Sequence, residues 1–350
     1  MGISGGVDSS VSAYLLKKEG YEVHGVYIKP WAPEWLPCNW MGEKRDAMRV
    51  CAKLGIRFHF VDGEEVYKNE VAKYMIDEYK HGRTPNPDIL CNRVIKFGLM
   101  WEYAKSNGAD FIATGHYAYT DGKNLFRGFD EDKDQSYFLW MLKSEELAHI
   151  KFPLGKLKKY EVRKIAEEAY LHTASKKDSQ GICFLGEVDI REFLSHYIEQ
   201  KRGDVVLENG KVIGFHQGVW FYTIGERHGF TITEKNSERS IYYVIGKNTD
   251  ENVLIVATEP RSVKESKNKK VTLRDSNWLD TADKVKNYTS QLRYHGEKIS
   301  TQVIDNNHCV INYENAVPLG QSLVVFDNDK LIGGGIIDQI QPLDKTTKTS

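Results

Sequence analysis

The sequence predicts an α/β domain on a parallel sheet with helical additions, then a small β-rich module and a set of strands that close into a barrel. Three observations carry that expectation. Strand-like and helical patterns alternate from the N-terminus to about Asp110, which implies a parallel sheet covered on both faces. A glycine-rich run leads directly into the first helical pattern. After about Lys201, helical periodicity gives way to short β-type runs separated by Gly, Asn and Asp turns. A length of 350 residues allows two or three domains, and 41% hydrophobic with 28% charged residues is the balance of a soluble globular chain.

The opening run is Gly2-Ile3-Ser4-Gly5-Gly6-Val7-Asp8-Ser9-Ser10. Adjacent glycines let backbone approach a ligand closely, and a helical pattern from Ser9 to Lys18 follows, stopped by Gly20. A glycine loop at a helix N-terminus offers N–H groups and a positive dipole end, which suits phosphate. No Gly-Lys-Ser/Thr follows, so it is not a Walker loop, and the glycine spacing is wrong for a dinucleotide fingerprint. A bare Gly-Gly would read as an ordinary tight turn; the full Ser-Gly-Gly-Val-Asp-Ser run points beyond that.

Tyr21 to Lys29 then reads as a strand, Arg45 to Leu54 as a helix ending at Gly55, and Ile56 to Val61 as a strand. Glu64 to Tyr79 and Arg93 to Ser106 read as helices, and Asp110 to Thr114 as a strand leading to Gly115-His116. Ligands of such sheets sit at the carboxyl ends of the strands, where Gly5-Gly6, Ile28 and Gly115-His116 all fall. Lys156 to Ala169 is a basic amphipathic helix whose charged face is either solvated or a phosphate-backbone contact. Val205 to Leu207, Trp220 to Ile224, Ile241 to Ile245 and Val253 to Ala257 make the β-rich module. Arg261 to Lys270 reads as a linker, and Val271 to Ile340 as the barrel strands.

Other classes are set aside by composition. No apolar run is long enough to span a membrane and no signal peptide is visible, so a cytoplasmic protein is expected. Cys38, Cys51, Cys91, Cys183 and Cys309 are odd in number and scattered, which favours a reducing compartment and thiol chemistry over a disulfide framework. Without a Cys-x-x-Cys pair, no protein-built metal cluster is expected. A net charge of −1 means that any nucleic-acid surface must be a local patch.

Two further stretches carry chemistry. In Thr84-Pro85-Asn86-Pro87-Asp88-Ile89-Leu90-Cys91-Asn92, two prolines stiffen the backbone that presents Asp88 and Cys91. Cys91 is expected at the start of the Arg93 helix, where the dipole favours a thiolate. Ser179-Gln180-Gly181-Ile182-Cys183-Phe184-Leu185-Gly186 holds a second cysteine. Alone it would read as packing; paired with Cys91, it could pass a sulfur atom or close a disulfide.

The opening run resembles the pyrophosphate loop of the ATP pyrophosphatase (PP-loop) superfamily. There a buried strand runs into the loop; here only Met1 precedes Gly2, so a sheet short of its first strand is expected, with a true start upstream. Together with Asn86-Pro87-Asp88, Cys91, Gly115-His116-Tyr117, Lys133-Asp134-Gln135-Ser136-Tyr137 and Gly181-Ile182-Cys183-Phe184, the chain is similar throughout to the bacterial tRNA-specific 2-thiouridylase family (MnmA/TrmU). Tyr222 to Gly225, Arg293-Tyr294, Gly320-Gln321 and Gly333 to Ile337 extend the match. Where that family commonly has Gly-Gln-Arg-Lys-Gly, this chain has Gly225-Glu226-Arg227-His228-Gly229, and Ile28 stands where a methionine commonly meets adenine.

The resemblance implies three domains: a PP-loop catalytic domain (adenine nucleotide alpha hydrolase-like) with a helical tRNA-binding region over 1–200, a central β domain over 201–260 and a β-barrel over 261–345. It implies ATP at Gly2, Ile3, Ser4, Gly5, Gly6, Val7, Asp8, Ser9, Ile28 and Gly115, with magnesium brought by ATP and shared with Asp8. Cys91 would be the nucleophile, Asp88 a base or base-orienting group and Cys183 the persulfide carrier, with a transient Cys91–Cys183 disulfide. Asn86, Pro87 and Asp88 would contact the target base. His116, Lys133, Asp134, Gln135, Arg293, Tyr294 and Gln321 would hold the tRNA. The implied reaction replaces O2 of the wobble uridine with sulfur from a donor protein, a cysteine desulfurase or a relay carrier. Attack by the persulfide and release of hydrosulfide both remain open. Competing expectations are an amidating ligase, which needs neither thiol, and a tRNA-binding protein without turnover.

Overall fold

A parallel sheet whose middle position is held by only three residues organises the N-terminal half. The computed structural model describes residues 1–36, 40–178, 188–234, 240–259 and 266–343, so Cys38 and Cys183 lie outside the described residues. β1 (His24–Lys29) pairs in parallel with β2 (Arg57–Asp62), and β3 (Ile112–Ala113) pairs in parallel with β6 (Ile150–Lys151). Between them runs Met1 to Ile3. The Ile3 N–H donates to the Val26 carbonyl, the Val26 N–H to the Met1 carbonyl, and the Gly2 N–H to the Ala113 carbonyl. The expected gap is therefore filled: the segment entering the glycine loop is a short central strand bonded on both sides.

Helices cover this sheet for reasons visible in their spacing. α1 (Val7–Lys18) buries Val11, Ala13 and Leu16. α2 (Trp40–Leu54) buries Ala47, Val50, Cys51 and Leu54, an i, i+3, i+4, i+7 stripe. The helix expected from Arg93 starts earlier, at Pro87. Asn86 caps it by accepting the Asp88 N–H (3.2 Å), and Pro87 takes the first helical position, where a missing N–H costs nothing. It continues through wider π-type turns over Asn92–Leu99 and ends at Ser106.

The central module is a five-stranded sheet in the order β10-β11-β7-β8-β9, from β7 (Gly203–Leu207), β8 (Val212–His216), β9 (Thr231–Ile232), β10 (Tyr243–Asn248) and β11 (Val253–Ala257). The strand expected over Trp220 to Ile224 is instead a 3-10 turn, Val219–Phe221. Val219, Phe221 and Tyr222 are all buried, a spacing that no half-buried strand produces. The expected linker ends early, since Asn268 to Lys270 already belong to the first barrel strand.

The barrel runs β12 (Asn268–Trp278), β15 (His308–Asn312), β14 (Ile299–Asp305), β13 (Asn287–Gln291), β16 (Ser322–Asp327), β17 (Lys330–Pro342), and pairing of β12 with β17 closes it. A hairpin of the N-terminal domain, β4 (Ala118–Thr120) and β5 (Leu125–Arg127), continues the barrel sheet through Lys330↔Phe126 and Leu331↔Leu125. Barrel residues Val324, Phe326, Leu331 and Ile336 share one core with Val26, Ile89 and Met100. Central-module residues Val205, Tyr222 and Val244 share another with Met75, Cys91 and Ile95. Each fully buried large apolar side chain is worth about 1.5–3 kcal/mol, so these seams are parts of the core. The helix that starts at Pro87 meets both: Ile89 lies in the barrel-side core and Cys91 in the core shared with the central module.

Candidate nucleotide and tRNA site

The glycine loop is shaped by its own serines and closed by its neighbours. α1 begins at Val7, two residues before the expected Ser9, so Asp8 and Ser9 sit in its first turn. The Ser9 hydroxyl donates to the Gly6 carbonyl (3.1 Å) and accepts the Ser4 N–H (3.2 Å), while the Gly6 N–H reaches the Ser4 hydroxyl (3.3 Å). Gly5 has φ of +75°, and a Cβ there would lie 2.7 Å from the Glu43 carbonyl of α2. At Gly115, just after β3, a Cβ would lie 2.9 Å from the Ser9 nitrogen and 3.0 Å from the Asp8 carbonyl carbon. Backbone therefore packs on backbone at both places, which only glycine permits. Ile28 closes β1 next to Gly63, at the same carboxyl edge.

Cations surround this loop. Lys159 donates to both Asp8 oxygens (2.7 and 2.8 Å) and pairs with Asp178 at 2.9 Å. The Tyr117 hydroxyl also donates to Asp8 (2.9 Å); burial and the Asp8 charge push its pKa up, which keeps it a donor. Lys176 spans the Gly5 carbonyl (3.0 Å) and Asp46 (2.8 Å). Asp178 gathers Lys133 (2.9 Å), Lys159 and Arg163 (2.8 Å). Burial opposes its ionisation, but the hydrogen bonds and charges of Lys133 and Lys159 outweigh that and lower its pKa to about 2. Among the described residues no group of three or more His, Cys, Asp and Glu could hold a metal. A magnesium ion here would rely on Asp8 and the nucleotide's own phosphates, and would take the place of the Lys159 ammonium that now holds both Asp8 oxygens.

Lys159, Lys176 and Asp178 were not singled out as site residues by the sequence, where the basic face of the helix expected over Lys156 to Ala169 read as either solvated or a phosphate-backbone contact. Only folding puts the Lys159 side chain at 13% exposure against α1.

The Asn86–Cys91 stretch stands at the other end. Cys91 is 2% exposed and lies in the second turn of its helix, not at its start, so the helix dipole, strongest in the first turn, contributes less than expected. Asn92 donates to the Phe138 carbonyl (3.3 Å), which ties this helix to the Lys133–Tyr137 motif. The other half of the expected cysteine pair, Cys183, falls outside the described residues. Asp178, in the described part of the approach to it, is held by the cation cluster.

Of the residues expected at tRNA, several serve inside the fold. His116 is 6% exposed between Phe97 and Phe152, bonded to the Thr114 hydroxyl (2.7 Å); burial and then the Lys96 charge lower its pKa well below the usual histidine value. Asp134 is buried and accepts from Arg127, the Gly128 N–H and Ser136. The Gln135 side chain accepts the Tyr117 N–H (3.1 Å). Arg293 is exposed, and the half-buried Tyr294 ring lies 4.6 Å from that of Phe138. The Tyr137 hydroxyl donates to the Leu292 and Ser322 carbonyls, so the 133–137 motif, Arg293-Tyr294 and Gln321 converge. Gln321 itself donates to the Thr84 carbonyl (2.8 Å).

A strand, a glycine loop and a helix N-terminus at the carboxyl edge of a parallel sheet define a nucleotide-binding α/β protein of the HUP class. Family models match all three parts: the tRNA methyl transferase HUP domain over residues 1–187, the tRNA methyl transferase PRC-barrel domain over 191–258 and the aminomethyltransferase beta-barrel domain over 268–337. The tRNA-specific 2-thiouridylase MnmA of Bacillus cytotoxicus is 41% identical over 353 residues, covering 97% of this chain and 94% of that protein. That of Staphylococcus carnosus is 41% identical over 354 residues, covering 97% and 95%. The chain belongs to the tRNA-specific 2-thiouridylase family. Among solved structures, the U34-tRNA thiolase NcsA from Methanococcus maripaludis aligns over 56% of this chain and 62% of its own at 22% identity and a TM-score of 0.35, too slight a likeness to build on.

Proposed function

We propose that the protein replaces the C2 oxygen of a tRNA wobble uridine with sulfur, using ATP to activate that oxygen. The single observation that supports the reading is the close packing of Gly115, at the end of β3, against the Asp8–Ser9 backbone, which sets the strand edge against the glycine loop at the N-terminus of α1. A carbonyl oxygen is a poor leaving group, so ATP first adenylates it with release of pyrophosphate, and the oxygen later departs as part of AMP. The N–H groups of Gly5 and of the first turn of α1 hold the departing pyrophosphate, with Lys159 and Lys176 beside the loop to offset its charge. Magnesium, when bound with ATP, supplies further charge at Asp8.

The uridine leaves the anticodon stack to reach Asn86, Pro87 and Asp88, with Asp88 as base or base-orienting group. Cys183 carries the sulfur as a persulfide. In one route its terminal sulfur attacks C2 and expels AMP, and the Cys91 thiolate then takes the Cys183 sulfur, leaving a disulfide and the thiocarbonyl. In the other, Cys91 attacks first, hydrosulfide departs, and that ion attacks C2. Either way a reductant must reopen the disulfide before the next turnover. Arg293, Tyr294 and Lys133 hold the tRNA outside the base, while Asp134 and Gln135 set the shape of the segment that carries Lys133 and His116 packs behind Gly115. The sulfur comes from a donor protein of the desulfurase or relay type.

Mass spectrometry of unmodified tRNA incubated with ATP, a cysteine desulfurase, cysteine and a thiol reductant tests the reading. One uridine should exchange oxygen for sulfur only when ATP is present. Cys91→Ser and Cys183→Ser should each reduce the yield to background; normal thiolation by either would remove that cysteine from the mechanism.

A further inference from the structure

Thr84 stands two residues before Asn86, and every polar group it owns is taken by another part of the molecule. Its N–H donates to the Leu319 carbonyl (2.8 Å) and its carbonyl accepts the Gln321 amide (2.8 Å), both in the turn entering β16. Its hydroxyl donates to the Thr223 hydroxyl of the central module (3.2 Å). Thr84 is 7% exposed, so these bonds are not shared with bulk water. The three domains thus meet on one residue, at the root of the loop that receives the base.

The groups that reach Thr84 are themselves fixed. Gly320 donates its N–H to the Ile337 carbonyl (2.9 Å), and Ile337 returns one to the Gln321 carbonyl (2.8 Å), so the Gln321 backbone is pinned to β17. Gly320 has φ of +87°, and a Cβ there would lie 2.9 Å from both the Arg83 Cβ and the Thr84 nitrogen. The Thr223 N–H donates to Glu226 (2.9 Å), which Arg191 pairs. Behind Thr84, Arg83 makes two bonds to the buried Glu78 (2.8 and 2.6 Å), and Arg274 of β12 joins the same carboxylate. The chain immediately before Asn86 has no freedom that the two β domains do not restrict.

We propose that Gln321 is a positioning residue: its amide, with Gly320 and Thr223, fixes the Thr84–Pro85 backbone and so sets where Asn86 and Asp88 present the target uridine. The inference rests on the reading that Asn86–Asp88 receives that base, and it gives Gln321 a task other than the tRNA contact the family resemblance implies. The barrel and the central module then act on the chemical step as well as on tRNA affinity. A misplacement of about 1 Å at a reacting group is worth up to about 100-fold in rate, which is the leverage such a clamp has.

The test separates placement from contact. Gln321→Glu keeps the side-chain size but presents a carboxylate where a donor is needed; Gln321→Ala removes the group. Single-turnover thiolation at saturating tRNA gives the rate, and filter binding gives the tRNA Kd. A positioning role predicts a rate lowered about 10-fold or more in both variants, with Kd within about 2-fold of the unaltered protein. Thr223→Val, which cuts the second anchor, should lower the rate in the same direction by less. A raised Kd with an unchanged rate at saturation would make Gln321 a tRNA contact and overturn the proposal, as would an unchanged rate and Kd. If Gln321→Ala does not fold, Gln321→Glu is read alone. If the unaltered protein thiolates no tRNA, the functional reading fails, and the unaltered control distinguishes that outcome from failure of the clamp.

Discussion

The two ends of the site are built by opposite strategies. The proposed phosphate end is local: Ser4 to Ser9 are contiguous, and the loop's shape follows from serine-to-backbone bonds inside it. The proposed base end is collective: Asn86 caps its own helix, but the chain leading to it is held by Leu319, Gln321 and Thr223 from two other domains. A local site tolerates change elsewhere in the molecule; a collective one registers it. ATP binding should therefore respond to few substitutions outside the first domain, while the rate of thiolation should respond to many.

Gly115→Ala should have the largest effect that confines itself to the phosphate end. Its Cβ would strike backbone at Asp8 and Ser9, which cannot rotate away as a side-chain tip would. We expect ATP affinity to fall about 10-fold to 100-fold, with overpacking costing about 1–3 kcal/mol of stability. Equilibrium dialysis with ATP in the absence of tRNA, beside tRNA filter binding, reads both ends. Unchanged ATP affinity would break the contrast, as would an equal loss of tRNA affinity.

The same contrast explains what was legible in the sequence. The glycine loop, Gly115 and the alternation of strands and helices could be read because each depends on neighbours in the chain. The middle strand could not: Met1 to Ile3 is too short to show a strand pattern and is defined only by its bonds to Val26 and Ala113. Trp220 to Ile224 looked like a strand because aromatic and β-branched residues favour one, but burial of both Phe221 and Tyr222 forced a turn. Asp134 and Gln135 were expected at tRNA from the family resemblance alone. Their side chains accept from backbone N–H groups and a guanidinium, contacts set by tertiary packing that no spacing displays. The cation cluster on Asp178 was hidden for the same reason.

That cluster supplies a smaller effect with a definite sign. The folded pKa of Asp178, about 2, lies below the ordinary aspartate value of about 3.9. A depressed carboxyl stabilises the fold fully above its unfolded value, and the contribution is lost as pH falls through the folded one. Asp178→Asn should therefore melt at a lower temperature than the unaltered protein near neutral pH. The gap should narrow between about pH 4 and about pH 2. Melting curves across that range check it. Because Lys133, Lys159 and Arg163 all lose a partner next to Asp8, ATP affinity should change as well, whereas a purely structural ion pair would leave it alone.

The smallest effect expected is at Glu226, where this chain departs from the common glutamine. Its carboxylate accepts the Thr223 N–H, pairs with Arg191 and lies near Lys247. Burial raises its pKa, against the pull of the Thr223 hydrogen bond and the Arg191 charge, so the ionised form is the costly one. Glutamine keeps an oxygen for Thr223 and loses only the charge on Arg191, a change of under about 1 kcal/mol at a half-buried pair. A raised folded pKa contributes stability below the unfolded value of about 4.3, and that contribution is lost as pH rises through the folded one. The melting difference between the unaltered protein and Glu226→Gln should thus favour glutamate most at acid pH and shrink as pH rises. Since the Thr223 anchor survives, the thiolation rate should stay within about 2-fold, unlike the loss expected for Gln321→Glu. A large fall in rate with an intact melting curve would mean that the charge at Glu226, and not the hydrogen bond to Thr223, governs how the central module holds the base loop.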